Sequence, residues 1–276
     1  MRVALLQLTS SDDPSENLKT LEPMIRDAAE GGARCIFTPE VTNCVSMNRR
    51  RQLEVLYEET DDPMLRRVRE ICAELRLWVN LGSLALKTRD PDGRFANRSF
   101  VIDDNGQIAA RYDKIHMFDV EVTPEETYRE SDGYRPGGVA RTVRGPCGAL
   151  GLSICYDLRF PHLYRSLAKS GAQILSVPAA FSPITGAAHW EVLLRARAIE
   201  TGCFVIAAAQ TGLHSSKMGK SRRTYGHSLV VAPWGEILAD AGEEVGITYV
   251  DIDLLMVDKA RRQVPALGHD REFDGP

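Results

Sequence analysis

The fold turns on residues 148–167, GALGLSICYDLRFPHLYRSL. An apolar run ends on Cys155, and the chain then turns through YDLRFP into PHLYRSLAKSG, whose spacing is helical. A strand that feeds straight into a helix is the repeating unit of an α/β protein. The run is narrow, with Gly148, Ala149, Gly151 and Ser153, so neighbouring backbone can approach closely. Cys155 has two readings. It is either a small buried hydrophobe or a nucleophile at the end of a strand, where α/β sheets place their sites. On the second reading, the turn and the helix start aim backbone N–H groups at the thiol. That lowers its pKa and favours an oxyanion.

The same alternation extends outward in both directions. Downstream, AQILSVPAA reads as a strand, AHWEVLLRARAIETG as a helix and CFVIAAAQ as a strand. GHSLVVAP and ITYVDID follow as strands, with WGEIL between them. Upstream, VALLQL is a buried strand. A helix over residues 14–30 follows, with Leu18, Leu21, Ile25 and Ala28 at helical spacing and Gly31-Gly32 as its stop. RCIFTPE is a strand ending at Pro39-Glu40, after which comes a polar stretch. DDPMLRRVREICAELRL is a helix capped by Asp62 with Pro63 in its first turn. WVNLGSLAL is a strand, and NRSFVID with QIAARYD forms a hairpin across DDNG. Two halves of like order, with no linker between them, predict two face-to-face sheets with helices on the outer sides. The expectation is an α/β fold, a four-layer α-β-β-α sandwich, with residues 1–276 as a single domain.

The 276 residues are 43% hydrophobic and 26% charged with a net charge of −4, an ordinary globular composition. Nothing marks a nucleic-acid binder, and no apolar run is long enough to span a bilayer. The start of the chain turns polar too soon for a secretory signal. The six cysteines contain no C-x-x-C pair, which predicts reduced thiols in a cytoplasmic protein. Cys35, Cys72 and Cys203 read as packing, and Cys44 and Cys147 as loop thiols without a role. The NRS at Asn97 matches a glycosylation pattern and reads as chance. There is no metal-ligand motif, so neither a metal nor another cofactor is expected.

Three polar residues fall at or just past strand ends: Glu40, Lys114 in YDKIHMFD, and Cys155. Taken singly, each has an ordinary reading as a solvated loop residue, a surface lysine and a core thiol. Tyr156, Arg159 and Phe181 are expected beside the same strand ends, with Arg159 either fixing a substrate carboxylate or in a structural ion pair. His189 either lines the pocket or caps its helix. Lys217, Lys220, Arg222 and Arg223 crowd GLHSSKMGKSRR, which reads as a mobile solvated loop more than an anion-attracting one.

TPE, KIHMFD and GLSICYDLRFP occur in an order and at separations that resemble the nitrilase superfamily, over essentially the whole chain. The likeness is strongest in the Nit-type amidase branch. TGAAHWEVLLRARAIETGCFVIAAAQTG and YGHSLVVAPWGEIL are similar to the subgroup acting on deaminated glutathione. The resemblance implies a metal-independent amidase with a Glu–Lys–Cys triad falling on Glu40, Lys114 and Cys155, and a second glutamate on Glu130. It implies that Glu40 is a base with its pKa raised by burial, and that a thioester forms on Cys155. Lys114 and the Tyr156 backbone amide would then be oxyanion donors, with Glu130 orienting Lys114. VTPEETYRES departs from the Gly-containing stretch of close relatives, which bears on local loop shape. A small amide substrate and a homodimer are implied, with contacts in HWEVLLRARAIE and LLMVDKARRQVPAL. ω-Amidase, N-carbamoyl amide hydrolase and nitrilase chemistry are alternatives, as is a binding protein that kept the fold.

Overall fold

The structure, a computed structural model, describes residues 1–124 and 126–275. Two six-stranded sheets form it. In the first, the order is Gly246–Asp251, Arg2–Gln7, Cys35–Phe37, Trp78–Leu86, Ala96–Ile102, Ile108–Asp113. In the second, it is Ile237–Asp240, Leu229–Val231, Phe204–Ala207, Ile174–Ser176, Gly148–Leu152, Thr142–Gly145. Each sheet has a parallel centre and antiparallel flanks.

Alternation along single strands shows how the layers stack. On Arg2–Gln7, Val3 and Leu5 face the second sheet's core while Ala4 and Leu6 join a separate core with Leu21, Ile25, Val68 and Ile71. Successive side chains of a strand point to opposite faces, so one strand serves both layers. The helices Pro14–Glu30 and Pro63–Leu75 cover the first sheet. Asp13 caps the former through Ser15 and Glu16, and Asp62 the latter through Leu65. Pro161–Lys169 and Pro183–Thr201 cover the second sheet with Leu163, Tyr164, Leu167, Trp190 and Leu194. The four-layer α-β-β-α sandwich is the observed fold.

Several elements differ from the sequence reading. The strand before Cys155 stops at Leu152, and Cys155 opens a 3-10 turn over Cys155–Arg159 instead of closing the strand. The helix of residues 183–201 starts five residues earlier than the 188 read from AHWE, because Pro183 can occupy a first turn. Arg49–Val55 is a short helix in what read as a polar stretch. GLHSSKMGKSRR is tied into a hairpin, Thr211–His214 with Arg222–Tyr225, so Arg222 sits on a strand. VTPEETYRES likewise lies in a hairpin of Asp119–Thr123 and Glu126–Arg129, with Glu125 outside the described residues. ITYVDID pairs with Arg2–Gln7 in the first sheet, not with the second half. That pairing, with the Arg2–Asp251 ion pair, covers what would be an open sheet edge.

The expectation of unpaired thiols is corrected for Cys35 and Cys147, whose sulfurs are bonded across the two sheets. Their Cα atoms lie 6.6 Å apart, within disulfide reach. Cys35 faces inward from the first sheet and Cys147 sits in the turn between two strands of the second. Only the stacking of the sheets makes them neighbours.

The sheets meet closely at Gly82. A Cβ there would lie 1.9 Å from the Thr38 carbonyl oxygen, 2.5 Å from that of Pro39 and 2.7 Å from Pro178 Cβ. Thr38 and Pro39 lead to Glu40, and Pro178 closes the second sheet's central strand. Gly82→Ala is therefore expected to lower the urea unfolding free energy by about 1–3 kcal/mol through overpacking. An unchanged unfolding midpoint would show that the sheets have slack here.

Candidate active site

The strand ends of both sheets open into a cavity of about 360 Å³. Glu40, Lys114, Cys155, Glu130, Tyr156 and Phe181 all line it, from elements as far apart as residues 40 and 181. Arg159 and His189 do not line it. They lie against each other at 3.3 Å, with the Arg159 guanidinium 5.8 Å from the Tyr156 ring centre and 5.7 Å from that of Phe181.

Lys114 is 2% exposed and its ammonium is clasped by two carboxylates. Nζ donates to Glu40 Oε1 at 2.9 Å and to Glu130 Oε1 and Oε2 at 2.9 and 2.8 Å. Glu130 also accepts the Phe118 amide at 2.6 Å. Burial opposes the charge on Lys114, but Glu130 and Glu40 outweigh it and hold its pKa well above the ordinary value.

Glu40 is fixed at both oxygens. Oε1 accepts from Asn97 Nδ2 at 2.9 Å as well as from Lys114, and Oε2 accepts from the Ala180 amide at 2.9 Å. The Cys155 thiol lines the same cavity and lies within electrostatic reach of this carboxylate. Burial pushes Glu40 up, as the sequence suggested, yet Lys114 more than offsets it. The resting carboxyl lies below its usual value. Cys155 goes the other way: burial and then the Glu40 charge raise its thiol well above the ordinary range, against Lys114 and the Ala180 amide. The turn's N–H groups do not lower it, as the sequence reading had expected. A neutral thiol thus shares the cavity with an ionised carboxylate. Cys44 also lines the cavity, its thiol pushed up to about 12 by burial.

The backbone is unusual where these groups sit. Cys155 has φ +50° and Val41, just after Glu40, φ +45°. Such left-handed conformations at non-glycine residues cost about 1–3 kcal/mol each and persist only when the surroundings enforce them. The Val41 amide donates to Ser83 Oγ at 2.8 Å and that of Cys155 to the Pro178 carbonyl at 2.9 Å. Asp157, fully buried, accepts from the Tyr112 hydroxyl at 2.6 Å, the Ile154 amide at 2.9 Å and the His116 amide at 3.0 Å. It thereby binds the segment carrying Lys114 to the turn carrying Cys155.

Asn97, Asp157 and the Ala180 amide are not among the site residues read from the sequence, where Asn97 figures only in a chance glycosylation pattern. Asn97 was within reach of that reading. In the hairpin its carbonyl accepts the Lys114 amide at 3.0 Å, so it lies directly opposite Lys114. Asp157 and Ala180 act only once the two sheets face each other.

The family profile for carbon–nitrogen hydrolases matches residues 2–262. The chain is 40% identical over 274 residues to a deaminated glutathione amidase of Yersinia enterocolitica, covering 98% of this chain and 92% of that protein. It superposes on the Caenorhabditis elegans NitFhit crystal structure with a TM-score of 0.88 at 40% identity, covering 98% of this chain and 65% of that one. On Saccharomyces cerevisiae Nit3, a member of branch 10 of the nitrilase superfamily, the TM-score is 0.85 at 27% identity, with 99% and 97% covered.

Replacing Lys114 by Met strands the buried Glu40 carboxylate and the half-buried Glu130 carboxylate without their cation. The expected loss is about 3–5 kcal/mol in chemical unfolding, as for a buried pair broken from one side. Adding Glu130→Gln is expected to cost less than the two single losses summed, because the groups act together.

Proposed function

The chain belongs to the carbon–nitrogen hydrolase family, and from that premise we propose that it hydrolyses the amide of a small carboxylate substrate through a thioester on Cys155. The chain is an amidase; substrate and residue roles are the proposal. One observation carries it: the Cys155 thiol shares the cavity with a Glu40 carboxylate that Lys114, Asn97 and the Ala180 amide hold in place.

Cys155 Sγ attacks the amide carbonyl carbon as Glu40 takes the thiol proton. A resting thiolate is not needed, because base and nucleophile line the same cavity. The carbonyl oxygen becomes an oxyanion. Lys114 and the Tyr156 backbone amide at the start of the 3-10 turn stabilise it, and one such donor contributes about 10²–10³ in rate. The C–N bond then breaks, and protonated Glu40 gives its proton to the leaving amine. Glu40 next takes a proton from water, the hydroxide attacks the thioester, and the acid leaves as the thiol is restored. Lys114 keeps Glu40 positioned throughout, and Glu130 keeps Lys114 charged and oriented.

Deaminated glutathione is the substrate proposed, on the strength of the Yersinia relative's name. Its scissile amide is peptide-like, so the leaving group is an amine. An ω-amide or a nitrile would release ammonia instead, and an N-carbamoyl amide would release ammonia and carbon dioxide. A product panel separates these chemistries.

The whole chain works as one hydrolase domain, in a cytoplasmic homodimer. The dimer reading rests on Ile184, Val192 and Ile199, exposed seven or eight residues apart on one face of the Pro183–Thr201 helix. Val192→Glu is expected to give monomers in light scattering; an undisturbed dimer would move the contact elsewhere.

Incubation with deaminated glutathione is expected to leave an acyl group on Cys155, seen by mass spectrometry. Cys155→Ala is expected to abolish turnover, and full activity in that variant would sink the mechanism. The pH profile has a definite sign. Glu40 must be ionised and lies below its ordinary 4.5, so kcat/KM falls only as pH drops beneath that value. Cys155 reacts as the thiol and is raised above its ordinary 9.0, so no fall is expected on passing pH 9.

A further inference from the structure

Cys35 and Cys147 take no part in the reaction steps above, yet they sit on the two strands that carry the reacting groups. Cys35 opens the strand Cys35–Phe37, and Glu40 lies three residues past that strand's other end. Cys147 immediately precedes the strand Gly148–Leu152, and Cys155 lies three residues past its other end. The sulfur bridge therefore joins, at their starts, the same two strands whose far ends bring Glu40 and Cys155 into one cavity. Between bridge and cavity the sheets touch twice more. Ser176 Oγ donates to Asn80 Oδ1 at 2.8 Å, with Asn80 paired to Phe37, and Gly82 meets Thr38, Pro39 and Pro178. Packed interiors are stiff and transmit strain, so the spacing of the strands at one end bears on their spacing at the other.

The bridge is buried but lies under a segment that can open. Cys35 is 3% and Cys147 7% exposed, in an apolar setting of Phe37, Trp78, Val101, Val143 and Leu150. Cys147 belongs to the turn between Thr142–Gly145 and Gly148–Leu152, and Thr142–Gly145 is the outermost strand of its sheet. The Trp78 ring closes over that turn, so that a Cβ on Gly145 would lie 2.9 Å from it. A short edge hairpin opens locally at a lower free energy than the central strands. On the cytoplasmic reading above, small thiols keep most cysteines reduced, and a bonded pair in such surroundings is one that exchanges.

We propose that Cys35 and Cys147 are a reversible redox modification site that takes a small disulfide as its oxidant. Bonded, the pair holds the Glu40 and Cys155 strands in catalytic register; reduced, it lets them loosen and turnover falls. In the oxidising direction the Cys147 thiolate, exposed as the turn opens, attacks one sulfur of the small disulfide. A Cys147–thiol mixed disulfide forms and the first small thiol leaves. Cys35 loses its proton to water and attacks the Cys147 sulfur, and the second small thiol leaves. Two protein thiols are oxidised and one small disulfide is reduced to two thiols. The reverse sequence reopens the bridge. The link to turnover rests on the amidase reading; the exchange itself does not.

The test uses oxidised and reduced glutathione as the probe, on the wild type and Cys35→Ala/Cys147→Ala. Cys147→Ala alone, changed in a turn, serves if the double variant fails to fold. After equilibration in glutathione mixtures, acid quenching and alkylation, peptide mass spectrometry is expected to find the wild-type pair bonded at the oxidised extreme and alkylated at the reduced one. A pair that stays bonded in excess reduced glutathione, or unbonded in excess oxidised glutathione, overturns the proposal. Reduction is expected to lower the wild-type Tm by about 5–15 °C, because the bond joins residues 112 apart in sequence, and the double variant should melt near the reduced wild type. The bonded form is expected to exceed the reduced one severalfold in kcat/KM, short of the about 10²-fold that a 1 Å misplacement costs. Equal kcat/KM in the two states overturns the proposal. So does an equal glutathione response in the double variant, which would place the response on Cys155 or Cys44. The rate of Cys155 alkylation by iodoacetamide reads the coupling without turnover: a rate that changes with the state of the pair in the wild type alone supports it, and equal rates refute it. Absence of any hydrolysis by the wild type would fail the amidase reading alone, leaving exchange, Tm and alkylation to judge the pair.

Discussion

A single ammonium group, buried and clasped by two carboxylates, governs the architecture of this site. Lys114 could not remain charged in that interior without Glu40 and Glu130, because desolvating an unpaired cation costs several kcal/mol. Lys114 favours the ionised form of Glu40 against its burial. The carboxylates are in turn satisfied by Asn97, by the Phe118 amide and by the Ala180 amide. Every donor around the ammonium is thus tied to a specific strand end or turn. Mispositioning any of them leaves a buried charge incompletely solvated, and this penalty keeps the constellation in one geometry.

The electrostatics also decide how the thiol is used. Burial and the neighbouring Glu40 charge favour a protonated Cys155, while Lys114 favours an ionised Glu40. The proton lies on sulfur at rest. In the proposed mechanism Glu40 takes that proton only when a carbonyl arrives. The left-handed backbone at Cys155 and Val41 belongs to the same arrangement. Each residue turns sharply just past a strand end, at the point where the core meets the cavity wall. Hydrogen bonds to Pro178 and Ser83 hold those turns.

The two sheets share the work unequally. Glu40, Asn97 and Lys114 come from the first sheet and its hairpin, and Cys155 and Ala180 from the second. The site is therefore a product of the interface between the sheets. Gly82 lets them approach, the Cys35–Cys147 bond spans them at another point, and Asp157 connects the Lys114 segment to the Cys155 turn.

Strand and helix periods, caps and order were legible in the sequence. Apolar strand runs such as WVNLGSLAL and capped starts such as Asp62-Pro63 are local signals, and local interactions enforce them. Resemblance in TPE, KIHMFD and GLSICYD then singled out Glu40, Lys114 and Cys155, whose separate sequence readings were each unremarkable. Tertiary structure decided what depends on distance between remote segments. It brought Asn97 and the Ala180 amide onto Glu40 and stopped the strand short of Cys155. It moved Gly246–Asp251 to the first sheet and joined Cys35 to Cys147. It also reversed the expected shift of Glu40, because burial alone raises a carboxyl whereas a cation 2.9 Å away lowers it more. Burial can be inferred from the amino-acid pattern of one segment, but a charge contributed by another segment enters the balance only when the fold sets its distance.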